Sequence, residues 1–152
     1  MKILFVDVDG VLNTISDVRN YGNEYICREK LHLLKHIAAE TDCHIVLSST
    51  WRLIPKYKDI VMVALTSVNL PLYGVTPNMK SRDMEIMDYL GRLTIPDIKY
   101  AIIDDCYSNF TNLKDGHNLF LVNENMGLTM KTAIKVIRHL NGFLPANSLP
   151  GV

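Results

Sequence analysis

The chain sets short, dense apolar runs between longer amphipathic ones. Residues 2–8 form the first dense run, rich in branched and aromatic side chains, as expected of a strand buried on both faces of a parallel sheet. Residues 43–47, 72–76, 99–103 and 118–122 are of the same type and predict four more strands. Between them apolar positions recur at helical spacing. Leu31, Leu34, Ile37 and Ala38 give one face to a helix over 29–41. Met84, Met87, Leu90 and Gly91 mark one face of a helix over 81–93, with Ser81 as its N-cap. Pro55 opens a helix over 55–68. Thr129 caps one over 129–140, and Gly142 lies beyond its end. The polar stretch 14–27, with Asn20, Gly22 and Asn23, reads as a long loop or short flap over the end of the first strand. Strands alternating with helices predict an α/β fold, a doubly wound parallel sheet of five strands with helices on both faces. One domain is expected over 1–143, with a loose tail over 144–152.

Composition narrows the function classes. At 152 residues the chain has the usual size of one domain with a real core. Lys plus Arg equals Asp plus Glu, 16 each, so the chain as a whole is not a basic nucleic-acid binder, which leaves room only for a local basic patch. Cys27, Cys43 and Cys106 suit neither a disulfide framework nor a zinc finger, and a reducing cytoplasm is the expected location. Asp7 and Asp9 interrupt the apolar start before it reaches the length of a secretory signal. No run reaches the ~18 apolar residues of a membrane span, so no membrane partner is expected. Nothing in the composition speaks to oligomeric state.

Polar groups gather where the strands end. The first strand runs into Asp7-Val8-Asp9-Gly10, the second into Ser48-Ser49-Thr50, and the fourth into Asp104-Asp105. With the strand running from Lys2 to Val8, alternation places Asp7 and Asp9 on the same side, and Gly10 permits a sharp turn close to a ligand. Lys80 and Arg82 stand at the start of the helix before the fourth strand. Parallel strands with right-handed crossovers bring these ends to one edge of the sheet, where open α/β sheets bind ligands. Crowded carboxylates are costly unless compensated, so a bound divalent cation is the economical explanation. Carboxylates, hydroxyls and a basic side chain together form a set suited to phosphoryl transfer. A bland alternative stands beside each: a capped turn for Asp7 and Asp9, a helix cap or solvated loop for Asp104 and Asp105, and an exposed charge for Lys80 or Arg82. Trp51 and Arg52 divide evenly between substrate contact and simple packing or surface charge.

Asp7-Val8-Asp9-Gly10-Val11, Ser48, Lys80 or Arg82, and Asp104-Asp105, in that order, resemble the four motifs of the haloacid dehalogenase (HAD) superfamily of phosphatases. Ser49-Thr50-Trp51-Arg52 and the segment from Arg82 to Leu90 resemble a narrower group, the small, nearly capless HAD domains found among RNA-repair proteins. The resemblance implies a Rossmann-like sheet with minimal cap and a Mg²⁺-dependent phosphomonoesterase working through an aspartyl-phosphate. It implies Asp7 as nucleophile, Asp9 as general acid and base, Ser48 on a phosphate oxygen, and Lys80 balancing charge. Asp7, the Asp9 backbone carbonyl, Asp104 and Asp105 would hold the metal, with Asp105 as the direct ligand of the last pair. Gly10, Ser49, Arg52 and Arg82 would meet substrate. Ser48 against Ser49 and Lys80 against Arg82 stay open on sequence.

Large specificity caps of the superfamily are inserted after the first motif or between the second and third. Here the first gap holds only the flap, and the second is filled by a helix and a strand. An open site suits a macromolecular phosphoester, a nucleic-acid 3′ end or a phosphoprotein. A small nucleotide or sugar phosphate is the alternative. A noncatalytic phospho-receiver or phosphate-binding module is the competing class. In receivers, however, the acidic pair follows the first strand and the phosphorylated Asp ends the third, an order this chain does not have.

Overall fold

The computed structural model describes residues 1–113 and 116–143. The tail expected over 144–152 lies outside the described residues. The strands are β1 (Lys2–Val6), β2 (His44–Leu47), β3 (Leu72–Val75), β4 (Lys99–Asp104) and β5 (Leu119–Leu121). They form one parallel sheet in the order β3-β2-β1-β4-β5. The helices are α1 (Ile15–Tyr21), α2 (Arg28–Thr41), α3 (Pro55–Ser67), α4 (Arg82–Arg92) and α5 (Met130–Leu140). This is the doubly wound, Rossmann-like sheet that the alternation of elements predicts.

Alternation along β1 builds two cores. Ile3 and Phe5 face Val46, Ile102, Ile86 of α4 and Phe110. Leu4 and Val6 face the other way, onto Leu34 of α2, Leu65 of α3 and Val136 of α5. All four of these β1 side chains are at most 1 % exposed, which makes each worth about 1.5–3 kcal/mol of hydrophobic stabilisation. β1 is therefore the buried central strand, and whatever leaves its C-terminal end emerges at the middle of the sheet edge.

Two local details depart from the sequence reading. The flap contains α1, started by a capping box in which Thr14 accepts from the Asp17 N–H and Asp17 accepts from the Thr14 N–H. The Thr14-to-Asp17 spacing carried that signal, but the polar composition of the stretch masked it. β1 also stops at Val6 rather than Val8. The Val8 carbonyl instead accepts from the N–H groups of Val11 and Leu12, closing a turn through Gly10 at φ +74°.

Candidate active site

Strand parity aims the acids. Asp7 continues the face of Ile3 and Phe5, and Asp104 that of Ile102, so both point to the side covered by α4. The ladder persists past β1, with the Asp7 N–H donating to the Ile103 carbonyl at 3.1 Å. Asp7 and Asp104 are buried, and Asp105 is half-buried. One carboxylate oxygen from each of the three lies within 4.8 Å of the other two. A Cβ at residue 10 would collide with the Asp105 carboxylate, so Gly10 is what lets Asp105 reach the cluster.

The cation among these acids is Arg82. Its guanidinium lies 2.6 Å from Asp104 Oδ2, 3.5 Å from Asp7 Oδ1 and 3.8 Å from Glu85 Oε2. It occupies the first turn of α4, whose N-cap Ser81 accepts from the Met84 N–H. A helix start disfavours a cation, and the surrounding carboxylates offset that. Lys80, two residues earlier, is exposed and makes no hydrogen bond or ion pair with the described residues.

One arginine cannot satisfy three acids. Burial pushes the Asp7 carboxyl up to about 8, the Asp104 charge adds to this, and Arg82 opposes it. Burial likewise raises Asp104, again against Arg82. This donor set fits a hard divalent cation, because oxygen ligands whose ionised forms are disfavoured by burial and mutual repulsion gain most from one. A second feature fits an oxyanion nearby. Ser48 follows β2 directly, its N–H donates to the Val6 carbonyl at 3.1 Å, and its fully buried Oγ has no hydrogen-bond partner among the described residues.

Asp9 stands apart from that cluster. It is exposed, and each of its carboxylate oxygens accepts from a fixed donor: Oδ2 from the Trp51 indole N–H at 3.0 Å, Oδ1 from Asn13 Nδ2 at 3.2 Å. The alternation that would place Asp7 and Asp9 on one side ends with the strand at Val6, and the turn gives each acid its own surroundings. Asn13 is itself locked, accepting from the Gly10 N–H and donating to the Tyr25 carbonyl.

The other predicted substrate residues are built into the frame. Ser49 caps the 3₁₀ turn Thr50–Leu53 by accepting from the Trp51 N–H. Arg52 is buried and directs its guanidinium at the carbonyls of Ser48, Ser49, Thr76 and Pro77 and at Glu85 Oε2, 2.8 Å away. These five contacts match its five N–H donors, leaving none for a substrate. Arg52 thus ties the loop after β2 to the loop after β3. Glu85 links it to Arg82 and also accepts from the Met79 N–H.

Sequence alone assigns no role to Asn13 or Glu85 and divides Trp51 between substrate contact and packing. The available signals were a lone Asn inside an apolar turn, an acid on the inward face of a helix, and an indole whose N–H must find an acceptor when buried.

A family model described as the HAD domain in Swiss Army Knife RNA repair proteins matches residues 3–133. Comparison with curated proteins and with solved structures gives no significant match. The matched span runs from β1 into α5 and includes every acid, hydroxyl and arginine of the site.

Proposed function

The chain belongs to the family of HAD domains in Swiss Army Knife RNA repair proteins, and on that premise we propose that it is a Mg²⁺-dependent phosphomonoesterase with Asp7 as nucleophile and Asp9 as acid–base residue. HAD domains are generally hydrolases of phosphoric esters, and Asp7, Asp104 and Asp105, with the Asp9 carbonyl, would hold the ion. When bound, it supplies charge neutralisation to the phosphoryl oxygens.

In the first half-reaction an Asp7 oxygen attacks phosphorus. The bond from phosphorus to the leaving oxygen breaks, and Asp9 gives that oxygen its proton. In the second, a water oxygen attacks the phosphorus of the aspartyl-phosphate. Asp9 takes a proton from that water, the phosphorus–Asp7 bond breaks, and inorganic phosphate leaves with Asp7 again a carboxylate. Ser48 donates to a phosphoryl oxygen. In this reading the charge-balancing role goes to Arg82 rather than Lys80, because Arg82 lies beside Asp7. Arg52 and Ser49 hold the second and third motifs together.

A phosphorylated nucleic-acid end is the substrate class the family description favours. Residues 1–143 act as one hydrolase domain. Among the described residues no helix is long and apolar enough to cross a membrane. The three cysteines are free thiols, which suits a reducing cytoplasm.

The observation that carries the proposal is the convergence of Asp7, Asp104 and Asp105 beside Arg82, with Asp9 held separately by two donors. The test is phosphate release from a generic aryl phosphate with Mg²⁺, with chelator, and with Asp7→Asn. Turnover that requires metal and disappears in the variant supports the mechanism, and turnover surviving Asp7→Asn refutes it.

A further inference from the structure

Beside Asp9 a pocket of about 510 Å³ opens between the flap and the start of α3. That volume lies within the ordinary range of small-molecule sites. The pocket shares Asp9, Gly10 and Asp105 with the site, so it receives whatever is attached to the oxygen that Asp9 would protonate.

Its walls combine apolar and aromatic side chains with the uncharged polar groups of Asn13, Thr14, Asn23 and Thr50. Ile15 and Val18 of α1 stand on one side, and Trp51, Ile54 and Tyr57 on the other. Trp51 and Tyr57 are a tilted pair with ring centroids 5.0 Å apart. The charged groups of the lining are Asp9, Asp105 and Glu124, all acidic, and none of the described lining residues is Lys, Arg or His. Of the two lysines flanking Tyr57, Lys56 is engaged by Glu24, next to Asn23 of the lining, and Lys58 does not line the pocket. That ion pair joins the flap to α3.

With Asp105 on the ion and Asp9 holding its proton, a second phosphate in the pocket would meet Glu124, a carboxylate where phosphate binding calls for a cation. An uncharged ring would instead meet apolar and aromatic walls, the surface on which nucleobases are held without charge. Resting on the phosphomonoesterase reading, we infer that this pocket selects phosphomonoesters whose leaving alcohol carries an uncharged ring of nucleoside size. It discriminates against leaving groups that bring a second phosphate into it. A free mononucleotide meets this requirement directly, and a polynucleotide end meets it where the phosphodiester of its last nucleotide stays outside the pocket.

Trp51 is the chain's one tryptophan and a pocket wall, so its fluorescence reports binding without turnover. The test titrates the Asp7→Asn chain with Mg²⁺ and four ligands: a nucleoside 3′-phosphate, the 3′,5′-bisphosphate, glycerol phosphate, and a trinucleotide ending in a 3′-phosphate. The nucleoside 3′-phosphate should bind roughly tenfold more tightly than glycerol phosphate, the scale of one stacked base. It should also bind more tightly than the bisphosphate. Glu124→Lys, a change at an exposed position, should shift the preference toward the bisphosphate. The trinucleotide assigns the source: binding as tight as the mononucleotide points to polymer ends, weaker binding to free nucleotides, and either result keeps the ring pocket. Equal binding of glycerol phosphate, a bisphosphate preference in the unmodified pocket, or no shift in Glu124→Lys overturns the inference. Aryl phosphate hydrolysis by the unmodified chain is scored separately, so failure of the hydrolase reading is distinguishable from failure of the pocket.

Discussion

Replacing Trp51 by Phe removes the donor to Asp9 Oδ2 and keeps an aromatic ring against Tyr57. A hydrogen bond to a charged group is worth about 1.5–3 kcal/mol. Water reaches the exposed Asp9, so the lower part of that range applies. At 1.36 kcal/mol per decade this is about tenfold in rate, provided the contact matters in the transition state. The remaining bond from Asn13 leaves the carboxyl able to rotate, so the loss is one of placement. The fold should suffer modestly, since Trp51 is 5 % exposed and a trimmed buried ring costs about 1–2 kcal/mol. The informative assay compares two leaving groups. A nitrophenolate departs without a proton, whereas an alkoxide needs one from Asp9. Trp51→Phe should therefore lower kcat for an alkyl phosphate about tenfold and leave an aryl phosphate within about threefold. Equal losses on both substrates would mean a general structural defect. No loss on the alkyl ester would refute the positioning role of Trp51.

Arg82→Met should destabilise the metal-free protein by about 3 kcal/mol, because it leaves buried carboxylates without their cation; urea unfolding should show a smaller loss at pH 5 than at pH 8, since protonation relieves the acids. The raised Asp7 has the same sign: its folded value of about 8 lies above its unfolded one, so metal-free stability declines as pH climbs from about 4 to about 8. The thermal shift on adding Mg²⁺ should accordingly be larger at pH 8 than at pH 5, and Asp7→Asn should flatten the difference. Asp83 behaves oppositely: burial opposes its ionisation, but hydrogen bonds from the Asn112 N–H, the Ser81 hydroxyl and the Thr111 and Met84 N–H groups hold it at about 2. Its contribution of roughly 2 kcal/mol is present above about pH 4 and lost as pH falls toward 2, so Asp83→Asn should be less stable at neutral pH and should lose less stability on acidification.

The sheet and its acidic edge were legible in the sequence because their signals are local. Dense apolar runs specify buried strands, helical spacing specifies the covering faces, and Ser81 and Thr129 mark helix starts by a hydrogen bond spanning three residues. Strand endings place Asp7, Ser48 and Asp104 at one edge as soon as the strands are parallel. The choice between Lys80 and Arg82 was not legible. They lie two residues apart, and which of them stands beside Asp7 depends on how α4 docks across the sheet. Arg52 looked like a substrate ligand because an arginine after a serine pair has the right chemistry; only packing shows its donors committed to carbonyls and Glu85. Trp51 is 42 positions from Asp9 and Glu124 is 111 from Asn13, yet these residues meet around one pocket. Periodicity and capping act over a few residues, so sequence determined the elements and the edge at which chemistry gathers. Donor–acceptor pairing and pocket charge depend on contacts between distant segments, and those exist only once the sheet has brought the segments together.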